Sequence, residues 1–522
     1  MSILLRQLVI STILGLGFLI GGVAGTAMAG HPGHGGATPP TVPLGPLVSG
    51  AASSLGKRTI ISQTIINPNV TSPVKGGFKE PLLASWLFWP TRERCVGMGE
   101  GHATIRCSTL ARLTVLVCAL VVVGICVPAQ AQEVQRGVTV TDRPRPELEP
   151  LGIRVGGFLF YPDIAVSERY NDNIFSTDSG ENDDFITSIV PGSALKSNWN
   201  RHALNFSGSA DIGRYAQTSD ENYEDIFLDA DGRVDITRRA KLSGALSYQR
   251  RHEARSSTDD VSGVNPTIFQ VFGASLEFLQ RFNRVSLSFQ GAFRRLDFDD
   301  AVTPLDVVLN NDDRDRNEAD FTLRAGYEIV PQYEAFVRAT YYLRDYEKGV
   351  DNNDSDRDSN GFEIVAGTVI DFSGITFGDV FAGYRVQDSD DTDLETIRGI
   401  TFGAGITWNV TGLTTAKFKV TRIIHETTQI GASGGFATTI GATVDHELLR
   451  NLLIGGGVSL RREDFEGIDR TDDELNAGVY GKYMLNRNLY MSLNYQYRMR
   501  DSNGSTSDFQ SNVILLSLKT QI

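Results

Sequence analysis

Four histidines follow residue 131 in this 522-residue chain: His202, His252, His425 and His446. They are the natural candidates for acid–base work there. His446 follows Asp445, but neighbours on an extended strand face opposite ways, so the two cannot form a dyad in such a segment. No Gly-x-x-x-x-Gly-Lys phosphate loop occurs, and no strand–serine–helix elbow is read, so catalysis finds no motif to rest on. His31 and His34 sit in a flexible Gly-rich stretch and are read as incidental rather than as a metal site. The run Asp351-Asn-Asn-Asp-Ser-Asp-Arg-Asp358 has the look of a calcium loop. It lacks the Gly at position 6 and the bidentate Glu at position 12 of an EF-hand. No catalytic, cofactor-binding or metal residue is therefore expected. Acidic loops of this kind suit loose contact with divalent ions and lipopolysaccharide phosphates.

The more informative groups are basic. Arg294, Arg324, Arg338, Arg385, Arg461, Arg498 and Arg500 fall on the polar face of alternating segments, with Arg251, Arg344, Lys417, Lys419 and Lys482. The same face carries Asp211, Asp229, Asp231, Glu328, Glu334, Glu363 and Asp379. Two readings are open. A continuous basic track in a narrow aqueous lumen would lower the barrier for an anionic polymer such as a uronic-acid polysaccharide. An internal lattice of ion pairs would instead brace the wall.

Those residues need strands to hold them, and the pattern from residue 152 onward supplies strands. Over 489–500, Leu489, Met491, Leu493, Tyr495, Tyr497 and Met499 alternate with Tyr490, Ser492, Asn494, Gln496, Arg498 and Arg500. The segments 285–294 and 321–329 alternate in the same way, which is the period of a strand with one apolar and one polar face. Eighteen strands are expected, beginning near residues 153, 184, 202, 223, 240, 267, 284, 317, 333, 359, 376, 396, 414, 434, 452, 473, 489 and 511. Short links such as Arg238-Arg239 and Pro331-Gln332 alternate strictly with long polar ones such as 299–316. That asymmetry predicts an all-β, closed antiparallel transmembrane β-barrel of about 18 strands, with both termini in the periplasm. Tyr215, Tyr248, Tyr333, Tyr346, Trp408, Tyr483 and Tyr497 stand near strand ends, where interface girdles form. The sequence ends inside an alternating strand, 513–522, as recognition by the barrel-assembly machinery prefers, although its last residue is Ile where an aromatic is commoner.

Charge and cysteine divide the chain. Residues 1–131 hold nine Lys/Arg and three Glu; the whole chain has 49 basic and 63 acidic residues, which leaves 40 and 60 beyond 131, a net of −20. That balance excludes nucleic acid as a partner. Cys95, Cys107, Cys118 and Cys126 all precede residue 132, so the body crosses an oxidising periplasm without thiols. A signal peptide is read over 98–131: Arg106 and Arg112, an apolar core at 113–127, Pro128, and Ala129-Gln130-Ala131. Residues 3–29 form a second hydrophobic segment. Met98 is the expected native start, with 1–97 a non-native or disordered extension; an inner-membrane anchor at 3–29 is the alternative. The Pro-rich residues 132–152 are expected to hang in the periplasm, where they are available to export components.

The sequences Gly152-Ile-Arg-Val-Gly-Gly-Phe-Leu-Phe-Tyr-Pro162, Glu168-Arg-Tyr-Asn-Asp-Asn-Ile-Phe175, Asp184-Phe-Ile-Thr-Ser-Ile-Val-Pro-Gly192 and Trp199-Asn-Arg-His-Ala-Leu204 resemble the porin-like outer-membrane β-barrel family of exopolysaccharide and capsule gene clusters. The resemblance is carried by 152–215 and is architectural to 522. It implies a passive role in export or assembly of surface polysaccharide in the outer membrane of a Gram-negative cell. A general or nutrient-selective porin, and a structural or adhesive barrel, are the alternatives. Outer-membrane lipid and lipopolysaccharide are the expected surroundings.

Overall fold

The computed structural model describes residues 137–372, 374–504 and 507–522; the signal segments, the extension, His31 and His34 lie outside the described residues. The wall has eighteen strands. The first nine are β1 Phe158–Asn171, β2 Asp184–Ser197, β3 Ala203–Tyr215, β4 Tyr223–Asp235, β5 Ala240–His252, β6 Ile268–Phe282, β7 Val285–Phe298, β8 Arg316–Val330 and β9 Tyr333–Tyr346. The second nine are β10 Ser359–Phe372, β11 Thr376–Ser389, β12 Ile397–Thr411, β13 Thr414–His425, β14 Gly434–Leu449, β15 Leu452–Glu466, β16 Thr471–Met484, β17 Leu489–Ser502 and β18 Phe509–Gln521. Each pairs antiparallel with the next, and β18 closes on β1 from Gln521↔Asp163 to Val513↔Asn171. Closure removes every edge, the condition a sheet must meet in hydrocarbon.

Alternation explains the wall. Leu323, Val337, Ile364 and Ile400 on β8, β9, β10 and β12 are more than half exposed and point away from the lumen. Their neighbours Arg324, Arg338, Glu363 and Thr401 point in. Such a surface would aggregate in water and is stable only against lipid. Of the seven aromatics expected at the interfaces, Tyr215 and Tyr346 instead pack inside, because each falls on the inward parity of its strand.

Seventeen strands begin within two residues of the expected positions; the first does not. β1 starts at Phe158, and Ile153–Val155 fold back along Phe158–Phe160 through a tight turn at Gly156, whose φ of 59° suits glycine. This short arm covers the stretch of β1 that β18 does not reach. The inner links span two to five residues and the outer links four to seventeen. The alternation of link lengths fails at one place: the outer link 467–470 is no longer than the inner link 485–488.

Residues 137–150 do not hang free in the periplasm. They run as a strap along the inner wall at the periplasmic rim. The Gly137 amide donates to Gly374 O (3.2 Å), Asn409 Nδ2 to Val138 O (3.1 Å) and the Val140 amide to Thr415 Oγ1 (2.9 Å). Arg145 pairs with Glu447 at 2.6 Å, and Tyr490 donates to Leu148 O. Val140 is buried among Leu453, Met484 and Tyr490. The cause is local. The segment has no apolar period of its own, but its backbone donors and acceptors find inward-facing side chains of β12, β13, β14 and β17.

Candidate solute pathway

The lumen has a constriction, a charged lattice and a glycine-rich wall. The constriction is the outer link 253–267, between β5 and β6. It turns inward and reaches the far side of the barrel. Thr427 donates to Asp259 (2.6 Å), and Gln429 Nε2 donates to Thr258 O (2.8 Å). Arg500 on β17 donates to Ser256 O. At its base Arg314 makes a two-pronged pair with Glu253 (2.7 and 2.9 Å), and Arg255 pairs with Glu221 (2.6 Å) and Asp260 (3.4 Å). Val264 is tied to Val302, in the short hairpin Ala301–Val302/Val308–Leu309 of the next outer link. Burial pushes the Asp260 carboxyl up to about 6 despite Arg255 beside it. Asp315, under the neighbouring link, is likewise pushed up to about 6 by burial.

The lattice takes up most of the arginines singled out in the sequence. Arg294 binds Glu318; Arg324 binds Glu334 (2.5 Å) and Arg338 binds Glu363 (3.0 Å). Arg461 binds Glu463 (2.7 Å), and Arg500 binds Glu474 (2.7 Å). Arg385 stacks its guanidinium 4.0 Å from the Tyr342 ring centroid and donates to Gln387. Five of these six brace adjacent strands, Arg461 through Glu474 on β16 (3.7 Å), while Arg385 is held by Gln387 on its own strand and by the Tyr342 ring two strands away; none is a rung of a free basic track. Among the described residues Arg498 has neither an ion-pair nor a hydrogen-bond partner, and its buried Nε is unsatisfied, as is that of Arg385. Arg169, on the inward parity of β1, is a lumen residue that the sequence reading missed. Its signal was the outward pair Ile164 and Val166, which puts Ser167 and Arg169 inside; placing the strand start at 153 obscured it.

One sector of the wall is glycine-rich, with the Phe381 ring lying over Gly403 and the Tyr480 ring over Gly455, while Gly405 and Gly441 have no such cover. Gly403 and Gly405 on β12, Gly441 on β14 and Gly455 and Gly457 on β15 face inward around Lys417 and Lys419 on β13. Lys419 is exposed to the lumen, and Lys417 lies 3.5 Å from Asp445. Nine strands away, half the circumference, Asp229 and Asp231 on β4 are exposed on the lumen face, with Glu277 nearby on β6. Negative and positive groups thus face each other across the bore.

None of the four histidines is set beside a nucleophile in a reactive arrangement. His446 bonds Thr414 at the rim, while Asp445 turns away to Tyr480. His425 pairs with Glu463 (2.6 Å), His252 with Asp225 (3.0 Å), and His202 accepts from the Asp235 amide. The spacing Gly431-Ala-Ser433-Gly-Gly435 matches a nucleophile elbow in letters, which the sequence reading passed over. It leads from a loop into strand β14 rather than from a strand into a helix, and the Ser433 hydroxyl is unpartnered. Asp351 is taken up by Arg357 (2.6 Å) and by the amides of Asn353 and Ser355. Among the described residues no group of three acidic, His or Cys side chains is placed to hold a metal.

An even-stranded barrel with an apolar belt, short inner turns and a polar lumen crossed by an outer loop defines an outer-membrane channel of the porin class. Residues 145–522 match the family described as "Putative beta-barrel porin 2", and the chain belongs to that family. It is a channel-family protein of the bacterial outer membrane and not an enzyme. No curated protein matches it by sequence. Among solved structures it is similar to Pseudomonas aeruginosa OccK3 (OpdO), at 14% identity and a TM-score of 0.38, over 70% of this chain and 96% of that one. It is also similar to Pseudomonas aeruginosa OpdL (11%, 0.37; 70% and 100%) and to OccK2 (OpdF) in complex with glucuronate (10%, 0.39; 70% and 98%).

Proposed function

We propose that the protein is a passive porin for small polar solutes, narrowed at its outer side by the inward link 253–267 and at its inner side by the strap. The course of 253–267 across the bore to Thr427 and Gln429 carries this reading. Because the loop reaches the far wall, solute must pass beside it, and the stretch of wall where Lys419 lies between Gly405 and Gly441 is free of overlying side chains and offers a way past. Opposed Asp229/Asp231 and Lys417/Lys419 set a transverse field there, which favours dipolar and charged small molecules over apolar ones. A conduit for exopolysaccharide, which the family resemblance suggested, needs a bore that admits a polymer, and a loop anchored at both ends works against it.

Reconstitution tests the proposal. The purified chain in planar bilayers gives stable open-channel steps. In liposome swelling, monosaccharides and amino acids enter faster than tri- and tetrasaccharides. A protein that conducts no small sugar, or that passes long oligosaccharides as fast as glucose, overturns it. A deletion strain that loses its surface polysaccharide would favour the export role.

A further inference from the structure

We propose that Arg169 and Arg498 form a binding station for a small organic monocarboxylate in the outer half of the lumen, directly beneath the point where loop 253–267 meets the wall. This deepens the porin reading and rests on it for the route by which the solute arrives.

The two arginines stand on β1 and β17, either side of the closing strand β18. Arg498 pairs across to Ser511 and Arg169 to Leu515, four positions further along β18, and the charge of Arg169 acts on Arg498. The lattice around them is otherwise neutralised: Arg461 and Arg500 both reach Glu474, and Arg500 also reaches the loop backbone at Ser256. Neither Arg169 nor Arg498 has a carboxylate within ion-pair distance among the described residues, and the Arg498 Nε is buried with no acceptor. Like charges facing one stretch of lumen repel, and a buried unpaired donor is costly, so such an arrangement is poised for an anion to complete it.

The surroundings select the class of anion. The Asp211 carboxylate lies near Arg169, outside ion-pair distance, and brings the local charge to about one positive unit, a match for a monoanion. Two planar guanidinium forks suit the two coplanar oxygens of a carboxylate. The partly buried Tyr215 near Arg169 offers a ring to the organic part, backed edge to face at 6.4 Å by the buried Tyr223, which is itself stacked on His252. Position makes the station functional, since Arg500, two residues above Arg498 on the same face, is the wall's anchor for the constricting loop.

Benzoate is the probe, with benzyl alcohol as its neutral counterpart and inorganic phosphate as the dianion. Calorimetry on the full chain in detergent reads binding, and planar-bilayer conductance of the same preparations reads the channel. Benzoate is expected to bind saturably, benzyl alcohol not at all, and phosphate more weakly. Arg169→Gln and Arg498→Gln each weaken benzoate at least tenfold, Arg498→Lys weakens it less, and Arg338→Gln, at a braced position, leaves it unchanged. Equal benzoate binding by the wild type and the Arg169→Gln/Arg498→Gln double variant, no binding by a conducting wild type, or tighter binding of phosphate, overturns the station. Binding that follows the expected order in a protein without conductance would leave the station standing and defeat the porin reading instead. Variants are compared only where the heat-dependent gel shift of a folded barrel is intact, and the lysine variant, which keeps the charge, guards against a trivial loss of fold.

Discussion

Glu318 is the sharpest test of the idea that the lumen arginines brace the wall. Its side chain is 3% exposed and meets the guanidinium of Arg294, Arg316 at 3.0 Å and Arg344 at 3.9 Å. Arg344 keeps Asp320 at 2.8 Å if Glu318 is neutralised, whereas Arg294 and Arg316 have no second carboxylate within ion-pair distance among the described residues. Glu318→Gln therefore leaves two guanidiniums uncompensated. Breaking a buried pair from one side costs about 3–5 kcal/mol, and the partial exposure of Arg294 places this case near the lower end, about 3 kcal/mol. That is a factor of roughly 100 or more in the folding equilibrium. For a urea slope of about 3 kcal/mol/M, the unfolding midpoint of the protein in lipid vesicles falls by about 1 M. Removing the stranded charges as well, with Arg294→Met and Arg316→Met, should restore at least half of the loss, because an apolar replacement of a whole buried cluster is close to neutral. A midpoint for Glu318→Gln within about 0.2 M of wild type, or a triple variant no better than the single one, would refute the bracing role.

Three further outcomes are expected. Deleting residues 137–150 leaves a folded barrel and raises the single-channel conductance; an unchanged conductance would mean that the strap does not narrow the inner mouth. The Asp260 carboxyl, at about 6 rather than the unfolded value near 4, holds its proton in the inward loop across that interval. The inward conformation is thus favoured by acid, and that contribution is lost as pH rises through 6, so conductance should fall between pH 7 and 5 and Asp260→Asn should abolish the step. Gly378 sits where an added Cβ would come 1.9 Å from Gly405 O. Gly378→Ala should push β11 from β12 and lower the urea midpoint by the equivalent of about 1–3 kcal/mol; an unaltered midpoint would contradict the packing.

Strand positions were legible because lipid and water impose opposite demands on alternate residues, and segments such as 489–500 carry that demand in plain sight. What lay beyond the sequence was partnership. Arg338 and Arg498 look alike on their strands; one is matched by Glu363 on β10, and the other by nothing on β16 or β18. Only the register between strands decides that. The strap was misread for a related reason. A Pro-rich polar stretch shows no period whether it floats or docks, and its anchors at Thr415, Glu447 and Tyr490 lie at sequence distances of about 275 to 342 residues. The loop 253–267 gave only its length as a sign, since its inward course depends on Thr427 and Gln429 across the bore.

The inner course of residues 137–150 bears on how the protein is made. The strap's docking points lie on β12, β13, β14 and β17, so they exist only after nearly the whole chain has been synthesised and laid into the sheet. The first described residues are therefore among the last to find their places. Until then Val140 and Arg145 lack the partners that bury them. Once docked, both side chains are withdrawn from solvent. The segment thus works as a built-in mark of maturity, distinguishing a finished barrel from one still waiting for its final strands.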